Sequence, residues 1–159
     1  MLDDTLEWHA VEGCLDLQEC DKDTFIKQNS NQYSFKEINN IIYDHALGFI
    51  DYGVNHKDKV AIFLSDPIDF IGAYLACYKL GAISIVLNSQ WKKNEIDKAI
   101  EAVKPDYIIC NWKDKNIFSH YKKPVIFFEE LSKSYGSCYD LKSDYKPLPN
   151  DIQSILFTS

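Results

Sequence analysis

The stretch that decides the fold is residues 34–87, which contain SFKEINN (34–40), KVAIFL (59–64), DPIDF (66–70), KLG (79–81) and ISIVL (83–87). Ser34 followed by Glu37 is the capping-box pattern that begins a helix, and Gly53 is placed to end it. Residues 59–64 and 83–87 are almost entirely apolar, as strands are when both of their faces are buried. Between them, Asp66-Pro67 begins a second helix and Gly81 ends it. This order predicts right-handed crossovers and a mostly parallel α/β sheet with helices on both faces.

The rest of the sequence continues this alternation of elements. A third helix is predicted over residues 93–103 because Ile96, Ala99, Ile100 and Val103 recur at helical spacing, and Pro105 ends it. Further strands are predicted at 107–110, 125–128 and 151–157. A short strand at Phe25-Ile26 is expected to pair with Tyr33 through a turn at 29–31. Residues 132–150 are polar and predict an irregular surface connection.

The charge distribution argues against a nucleic-acid partner. The 159 residues carry a net charge of −7, and residues 1–32 hold eight acidic residues against two lysines. The other 127 residues are nearly neutral, with sixteen acidic residues and fifteen lysines. No basic stripe is available to neutralise a phosphate backbone. Because the sequence contains no arginine, a phosphate site made by this chain would depend on backbone N–H groups and lysine.

The cysteines and the hydropathy argue against a disulfide framework, a zinc site and a membrane span. The five cysteines are odd in number and form no Cys-x-x-Cys pair, so neither a disulfide framework nor a zinc site is predicted. Cys77 and Cys110 lie in apolar segments and are expected to be buried. The apolar run 70–87 is interrupted by Lys79 and Gly81, which favours a buried helix followed by a buried strand. The first residues do not resemble an export signal, and a cytoplasmic location is expected.

Several polar and aromatic residues have a structural interpretation that we prefer to a functional one. Ser119-His120 is interpreted as a surface loop, because the sequence implies no acid to orient the histidine. His45 is interpreted as a partly buried packing residue. The remaining residues are expected to be helix caps or surface charges (Asp51, Asp66, Asp69), solvated lysines (Lys92, Lys93, Lys122, Lys123), and aromatics that pack on helices or line an interface (Trp91, Trp112). No catalytic or metal-ligating residue is assigned.

The ordered combination of these segments resembles the opening of the adenylate-forming ligases, which include acyl-CoA synthetases, peptide-synthetase adenylation domains and luciferases. The matching features are, in order, the capped helix at Ser34, the strand 60–64, the helix end at 73–81, the segment 86–88, the helix with Glu95-Ile96, the segment 106–109, and Asp151 leading into Phe157-Thr158-Ser159. In that family a phosphate loop reading Tyr/Phe-Thr-Ser-Gly-Ser/Thr-Thr-Gly closes backbone N–H groups around a nucleotide. Only its first three positions are matched here. Ser89 stands where the family often has proline.

The resemblance implies a division of the chain and a set of ligands. Residues 1–32 are taken as an acidic N-terminal segment, and residues 33–159 as the N-terminal subdomain of an acyl-CoA synthetase-like adenylation domain, truncated at the start of the phosphate loop. Thr158 and Ser159 would contact the phosphates. The parent enzyme, an AMP-forming acid–thiol ligase, would use ATP, Mg²⁺, a carboxylate, and CoA or a carrier protein as thiol acceptor. No cofactor is expected on this chain alone.

The resemblance leaves more than one role open for the chain. The first hypothesis makes it an inactive part of that enzyme, completed by the remainder of the adenylation domain in the same chain or a second subunit. Alternatively, it is a non-catalytic interaction module or one subunit of a split enzyme. A small nucleotide-binding domain in its own right is disfavoured, since no Gly-x-Gly occurs among the six glycines.

Overall fold

A computed structural model describes residues 24–131 and 150–158. The described part begins with a hairpin of β1 (Thr24–Gln28) and β2 (Asn31–Ser34), in which Ile26 lies opposite Tyr33. Asn29 adopts a φ of 55° in the connecting turn, a left-handed conformation that asparagine tolerates. The predicted pairing is therefore confirmed. The proposed division of the chain between residues 32 and 33 falls inside β2, and this division stays a prediction.

Helix α1 (Phe35–Asp51) begins and ends at the predicted signals. The backbone N–H of Ser34 donates to Glu37 Oε2 at 2.8 Å, and the Glu37 N–H donates to Ser34 Oγ at 3.3 Å, which completes the capping box. After the helix, Gly53 has a φ of 85°, which lets the chain turn towards the sheet. The buried face of α1 is formed by Ile38, Ile42, His45, Ala46, Gly48 and Phe49.

Five parallel strands form the central sheet in the order β6-β5-β3-β4-β7. They are β3 (Lys59–Phe63), β4 (Ile83–Val86), β5 (Tyr107–Cys110), β6 (Val125–Phe127) and β7 (Ser154–Ile155). In the central strand, Ile62 lies beside Val86 of β4 and Ile109 of β5. The predicted parallel sheet is confirmed.

Helices cover both faces of the sheet and produce two separate cores. Val60 and Ile62 of β3 are buried against α1 and α2 (Pro67–Leu80), whereas Ala61 and Phe63 are buried on the face that α3 (Lys93–Val103) covers. Helix α2 ends at Gly81, which has a φ of 66°. Short helical segments follow β5 and β6: a 3-10 turn (Trp112–Asp114), α4 (Lys115–Phe118) and α5 (Phe128–Leu131).

The last strand is shorter than the sequence predicts. We expected residues 151–157 to form it, but only Ser154–Ile155 pair, through Ser84 and Ile85 of β4. Among the described residues the strand lies at the edge of the sheet and pairs with β4 alone, so the apolar residues around it have a strand on one side only to pair with. The connection expected at 132–150 lies outside the described residues except for Asn150, which is in a turn.

The cysteine and membrane predictions are tested only within the described residues. Cys77 and Cys110 are buried and free, as expected, while Cys14, Cys20 and Cys138 lie outside the described residues. No helix in residues 24–131 or 150–158 has the length and apolar character needed to cross a bilayer.

Candidate functional site at the carboxyl edge of the sheet

All five strands are parallel, so their carboxyl ends meet at one edge of the sheet, which we call the carboxyl edge. In open α/β sheets, ligands bind outside this edge, where loops from neighbouring strands converge. Here the loops that begin at this edge start at Leu64, Leu87, Asn111, Phe128 and Leu156. The candidate site is therefore formed by segments far apart in sequence.

Thr158 lies at the carboxyl edge, three residues beyond Ile155, which pairs with Ile85 of β4 and packs in the core that α3 covers. The Thr158 side chain is exposed. The preceding Phe157 packs edge-on against Trp91, with 5.4 Å between ring centroids. The backbone N–H of Trp91 donates to the Asn88 carbonyl at 3.0 Å. This turn in the loop after β4 positions the indole ring that contacts Phe157. Ser159, the other predicted phosphate-binding residue, lies outside the described residues.

Asp66 organises the loop after β3. Its Oδ1 accepts hydrogen bonds from the N–H groups of Ile68 (2.9 Å) and Asp69 (3.1 Å), which caps α2 as predicted. Its Oδ2 accepts from the Gln28 side chain at 2.6 Å and ties the hairpin to this edge. Partial burial and the carboxylates of Asp66 and Glu129 raise the pKa of Asp69 to about 6. Asp69 is therefore a partly buried carboxyl group close to two other carboxylates, whereas the sequence suggested a helix cap or a surface charge.

Glu129 organises the loop after β5. Both of its carboxylate oxygens accept from the backbone N–H of Trp112, at 3.0 and 3.1 Å. Its Oε1 also accepts from Asn111 Nδ2 at 3.2 Å. The indole of Trp112 stacks on Phe127 with 4.6 Å between centroids and is 48% exposed. Lys113 Nζ donates to Ser65 Oγ at 3.0 Å and is a lysine lying at this edge.

The remaining polar candidates do not form a catalytic arrangement. Ser119 Oγ donates to the Asn116 carbonyl at 3.1 Å, which supports the loop interpretation. Contrary to our expectation, an acid does lie beside His120, because Asp97 Oδ1 is 3.4 Å from its Nε2. Asp97 also accepts from the Tyr121 hydroxyl and pairs with Lys93 at 2.8 Å, so it belongs to a surface network. The four lysines predicted to be solvated are exposed.

Neither buried thiol is prepared to act as a nucleophile. Burial raises the pKa of the Cys77 thiol far above its usual range, and burial together with Asp114 and Glu129 raises the pKa of Cys110 to about 12. Both cysteines therefore stay protonated at neutral pH. Within residues 24–131 and 150–158, no three His, Cys, Asp or Glu side chains lie close enough together to hold a metal ion.

His45 is more deeply buried than the sequence indicated. We expected a partly buried residue, but only 4% of its surface is exposed. Its ring meets Phe128 edge-on at 4.9 Å and lies against Gly72 of α2. Burial lowers the pKa of His45 to about 4, although the neighbouring Gly72 backbone partly offsets this shift. The residue belongs to the packing of α1 against α2 and α5.

The fold is a parallel α/β domain with helices on both faces of the sheet, a class in which ligands bind at the carboxyl edge. A family model described as AMP-binding enzyme matches residues 16–159. The chain belongs to this family and corresponds to the N-terminal segment of an adenylate-forming ligase.

Curated relatives match parts of the chain. The nonribosomal peptide synthetase GRA1 of Gibberella zeae is 23% identical over 131 residues, which is 80% of this chain and 2% of that protein. Crotonobetaine/carnitine–CoA ligase of Escherichia fergusonii is 34% identical over 65 residues, which is 41% of this chain and 13% of that enzyme. The chain therefore spans only a small part of the length of these relatives.

Solved structures share the fold. The N-terminal subdomain of NpsA from Klebsiella oxytoca has a TM-score of 0.67 at 19% identity, covering 82% of this chain and 33% of that one. O-succinylbenzoate coenzyme A synthetase (MenE) from Bacillus subtilis, in complex with ATP and a magnesium ion, has a TM-score of 0.61 at 21% identity. That match covers 67% of this chain and 29% of the synthetase.

Proposed function

We propose that this chain supplies the first part of the catalytic domain of an ATP-dependent acyl- or aryl-adenylating ligase. In this reaction a carboxylate oxygen attacks the α-phosphorus of ATP, and the bond from that phosphorus to the pyrophosphate oxygen breaks. The acyl-adenylate then passes its acyl group to a thiol, such as CoA or the phosphopantetheine of a carrier protein, and AMP leaves. Family membership supplies the reaction class, and Thr158 at the carboxyl edge is the observation that carries the proposal.

The residues present fit one part of a phosphate site. Thr158 offers an exposed hydroxyl at the edge where the nucleotide would lie, and the ring pair of Phe157 and Trp91 keeps the preceding backbone in place. Because the sequence has no arginine, backbone N–H groups and lysine would supply the other contacts to the phosphates. We propose that Ser159 also contacts the phosphates.

The described residues do not by themselves form a Mg²⁺ site. Bound Mg²⁺ would be held by phosphate oxygens together with one or two protein groups. Its contribution, when bound, is to offset negative charge on the reacting phosphates. ATP chemistry and the free thiols of Cys77 and Cys110 favour a cytoplasmic location.

Carboxylate-dependent exchange of labelled pyrophosphate into ATP tests the proposal. We expect the gene product purified from its native host to catalyse exchange with one or more carboxylates from an aliphatic and aromatic panel. The purified 159-residue chain is expected to give none, because it contributes only the first phosphate contacts. Exchange by that chain alone would disprove its dependence on a remainder, and no exchange by the native product with any carboxylate would contradict the ligase assignment.

A second candidate is a non-catalytic interaction module or one subunit of a split enzyme. Within residues 24–131 and 150–158, β7 pairs on one side only, which favours this candidate because an unpaired strand edge is a site for association. Exchange by the native product separates the two candidates. A split enzyme would regain exchange when the second subunit is added, whereas an interaction module would not.

A further inference from the structure

The three residues that end at Thr158 lie beyond the paired part of β7. Pairing of β7 with β4 ends at Ile155. Leu156 follows and is 66% exposed, so its side chain gives the backbone little support. Phe157 is partly buried and packs on the core that α3 covers, where its ring meets the Trp91 indole edge-on. The packing of Phe157 is therefore the side-chain contact nearest to Thr158 in the sequence.

Trp91 is fixed by hydrogen bonds on both sides of it in the chain. Before it, Asn88 Oδ1 accepts from the backbone N–H of Gln90 at 2.9 Å, and the Asn88 carbonyl accepts from that of Trp91 at 3.0 Å. The first of these bonds makes an Asx turn, which a side chain closes locally. After it, Glu95 Oε2 accepts from the backbone N–H of Lys92 at 2.7 Å, where α3 begins. Trp91 therefore lies between two turns that side chains close.

The loop that carries Trp91 is better supported than the segment that it contacts. It leads directly into α3, whose buried residues Ile96, Ala99 and Ile100 attach the helix to the sheet. By contrast, β7 pairs with β4 only through Ser154 and Ile155 within the described part of the chain. Edge-on aromatic contacts have a preferred ring geometry, so a fixed indole restricts where its partner ring can lie. The position of Phe157 therefore depends on the indole.

We propose that Trp91 is a positioning residue for the adenylation step, because it holds Phe157 where the Thr158 hydroxyl meets the phosphates of ATP. The inference rests on the proposed function and adds the loop after β4, residues 88–92, to it. Loss of the indole would let Phe157 and Thr158 shift together. A shift of about 1 Å near the reacting atoms can cost about 100-fold in rate. Trp91 needs no contact with ATP to have this effect.

A double-mutant cycle in the native gene product tests this role. Trp91→Leu keeps an apolar side chain but removes the ring, and we expect it to lower kcat/KM for ATP in pyrophosphate exchange by about 10- to 100-fold. Trp91→Phe keeps a ring at this position and should recover most of the loss. In the Thr158→Val background, Trp91→Leu should cost less than about 3-fold, because the contact that the indole positions is already removed.

Asn88→Ala is a second variant, which keeps the indole and opens the Asx turn. The Asn88 side chain is exposed, so the fold is expected to tolerate the change. Its loss in kcat/KM, roughly 3- to 10-fold, should also nearly disappear in the Thr158→Val background. The matched control is Tyr74→Ala, which removes a partly buried ring that stacks on Phe70 in the other core, with 5.8 Å between centroids. Any loss that this control causes should be the same in both backgrounds.

Equal losses from Trp91→Leu with and without the Thr158 hydroxyl would overturn the inference, because Trp91 would then act only through the stability of the fold. Wild-type exchange by Trp91→Leu would overturn it as well. The ligase assignment is scored on the unsubstituted product. If that product exchanges and the losses are equal, only this inference falls; if it gives no exchange with any carboxylate, the ligase assignment falls and this inference falls with it.

Discussion

Lowering the pH from 7 to 4 is expected to reduce the free energy of unfolding by about 3 kcal/mol through His45 alone. The ring is 4% exposed, its Nδ1 has no hydrogen-bond partner among the described residues, and its pKa is lowered to about 4. Protonation inside the fold would place a positive charge against Phe128 and the α2 backbone without a compensating anion.

The sign follows from comparing the two states. Above pH 6.5, His45 is neutral in both the folded and the unfolded chain and costs nothing. As the pH falls below 6.5, the unfolded chain takes up a proton that the folded chain refuses, so stability is lost. The loss reaches about 2 kcal/mol at pH 5 and levels off below pH 4, where the folded chain is also protonated.

The measurement is urea unfolding at pH 7, 5 and 4 for the wild type and His45→Gln. Asp69 acts in the opposite direction, because its pKa is raised to about 6 and its protonation in acid favours the folded state. The experiment is therefore done in the Asp69→Asn background, which removes this contribution. In that background we expect the free energy of unfolding to be higher with His45 than with His45→Gln at pH 7, and this difference to shrink as the pH falls. A difference that does not change with pH would show that His45 protonates freely in the fold.

Gly72→Ala is expected to destabilise the chain by about 2 to 3 kcal/mol, although alanine is the better helix former. A Cβ at position 72 would lie 2.4 Å from His45 Nδ1, 2.5 Å from His45 Cε1 and 2.7 Å from Ile41 Cγ2. The His45 ring has little space to move, because Phe128 meets it on another side. Helices α1 and α2 would have to separate, and close-packed interiors resist this.

Gly48→Ala is the matched control, because Gly48 is also a buried helical glycine. Its added Cβ would meet only the Leu131 terminal methyl, at 2.6 Å, with the next atoms at 3.4 Å or more. That methyl can rotate away, so a change within about 1 kcal/mol is expected. Chemical denaturation of both variants gives the comparison. Equal costs at the two positions would contradict the close approach of α2 to His45.

Helix ends and buried strands could be predicted from the sequence because their signals are local. The Ser34–Glu37 capping box, the Asp66-Pro67 start and the Gly81 stop each depend on a few neighbouring residues, and each is confirmed. The adjacency of residues 60–64 and 83–87 could also be predicted, since crossovers of this length join parallel strands. Because these two strands are apolar on both faces, a layer of helices on each side of the sheet could also be predicted.

The missed features depend on contacts between distant segments. The depth of His45 is set by α2 and α5, and the fixed position of Trp112 is set by Glu129, seventeen residues away. No local pattern identifies such pairs. The short pairing of β7 was missed because an apolar run looks the same in a central strand and an edge strand. The placement of Thr158 at the carboxyl edge followed from its position after a predicted strand.

The most direct test of the central claim is pyrophosphate exchange by the native gene product carrying Thr158→Val, which removes the hydroxyl and keeps the shape. Ser119→Ala is the control, because its hydroxyl donates to the Asn116 carbonyl in an exposed loop. If Thr158 contacts the phosphates of ATP, kcat/KM for exchange should fall by about 10- to 100-fold, as expected for a hydrogen bond to a charged group. Ser119→Ala should leave exchange unchanged. Wild-type exchange by Thr158→Val would contradict the claim that the carboxyl edge beyond β7 holds the nucleotide.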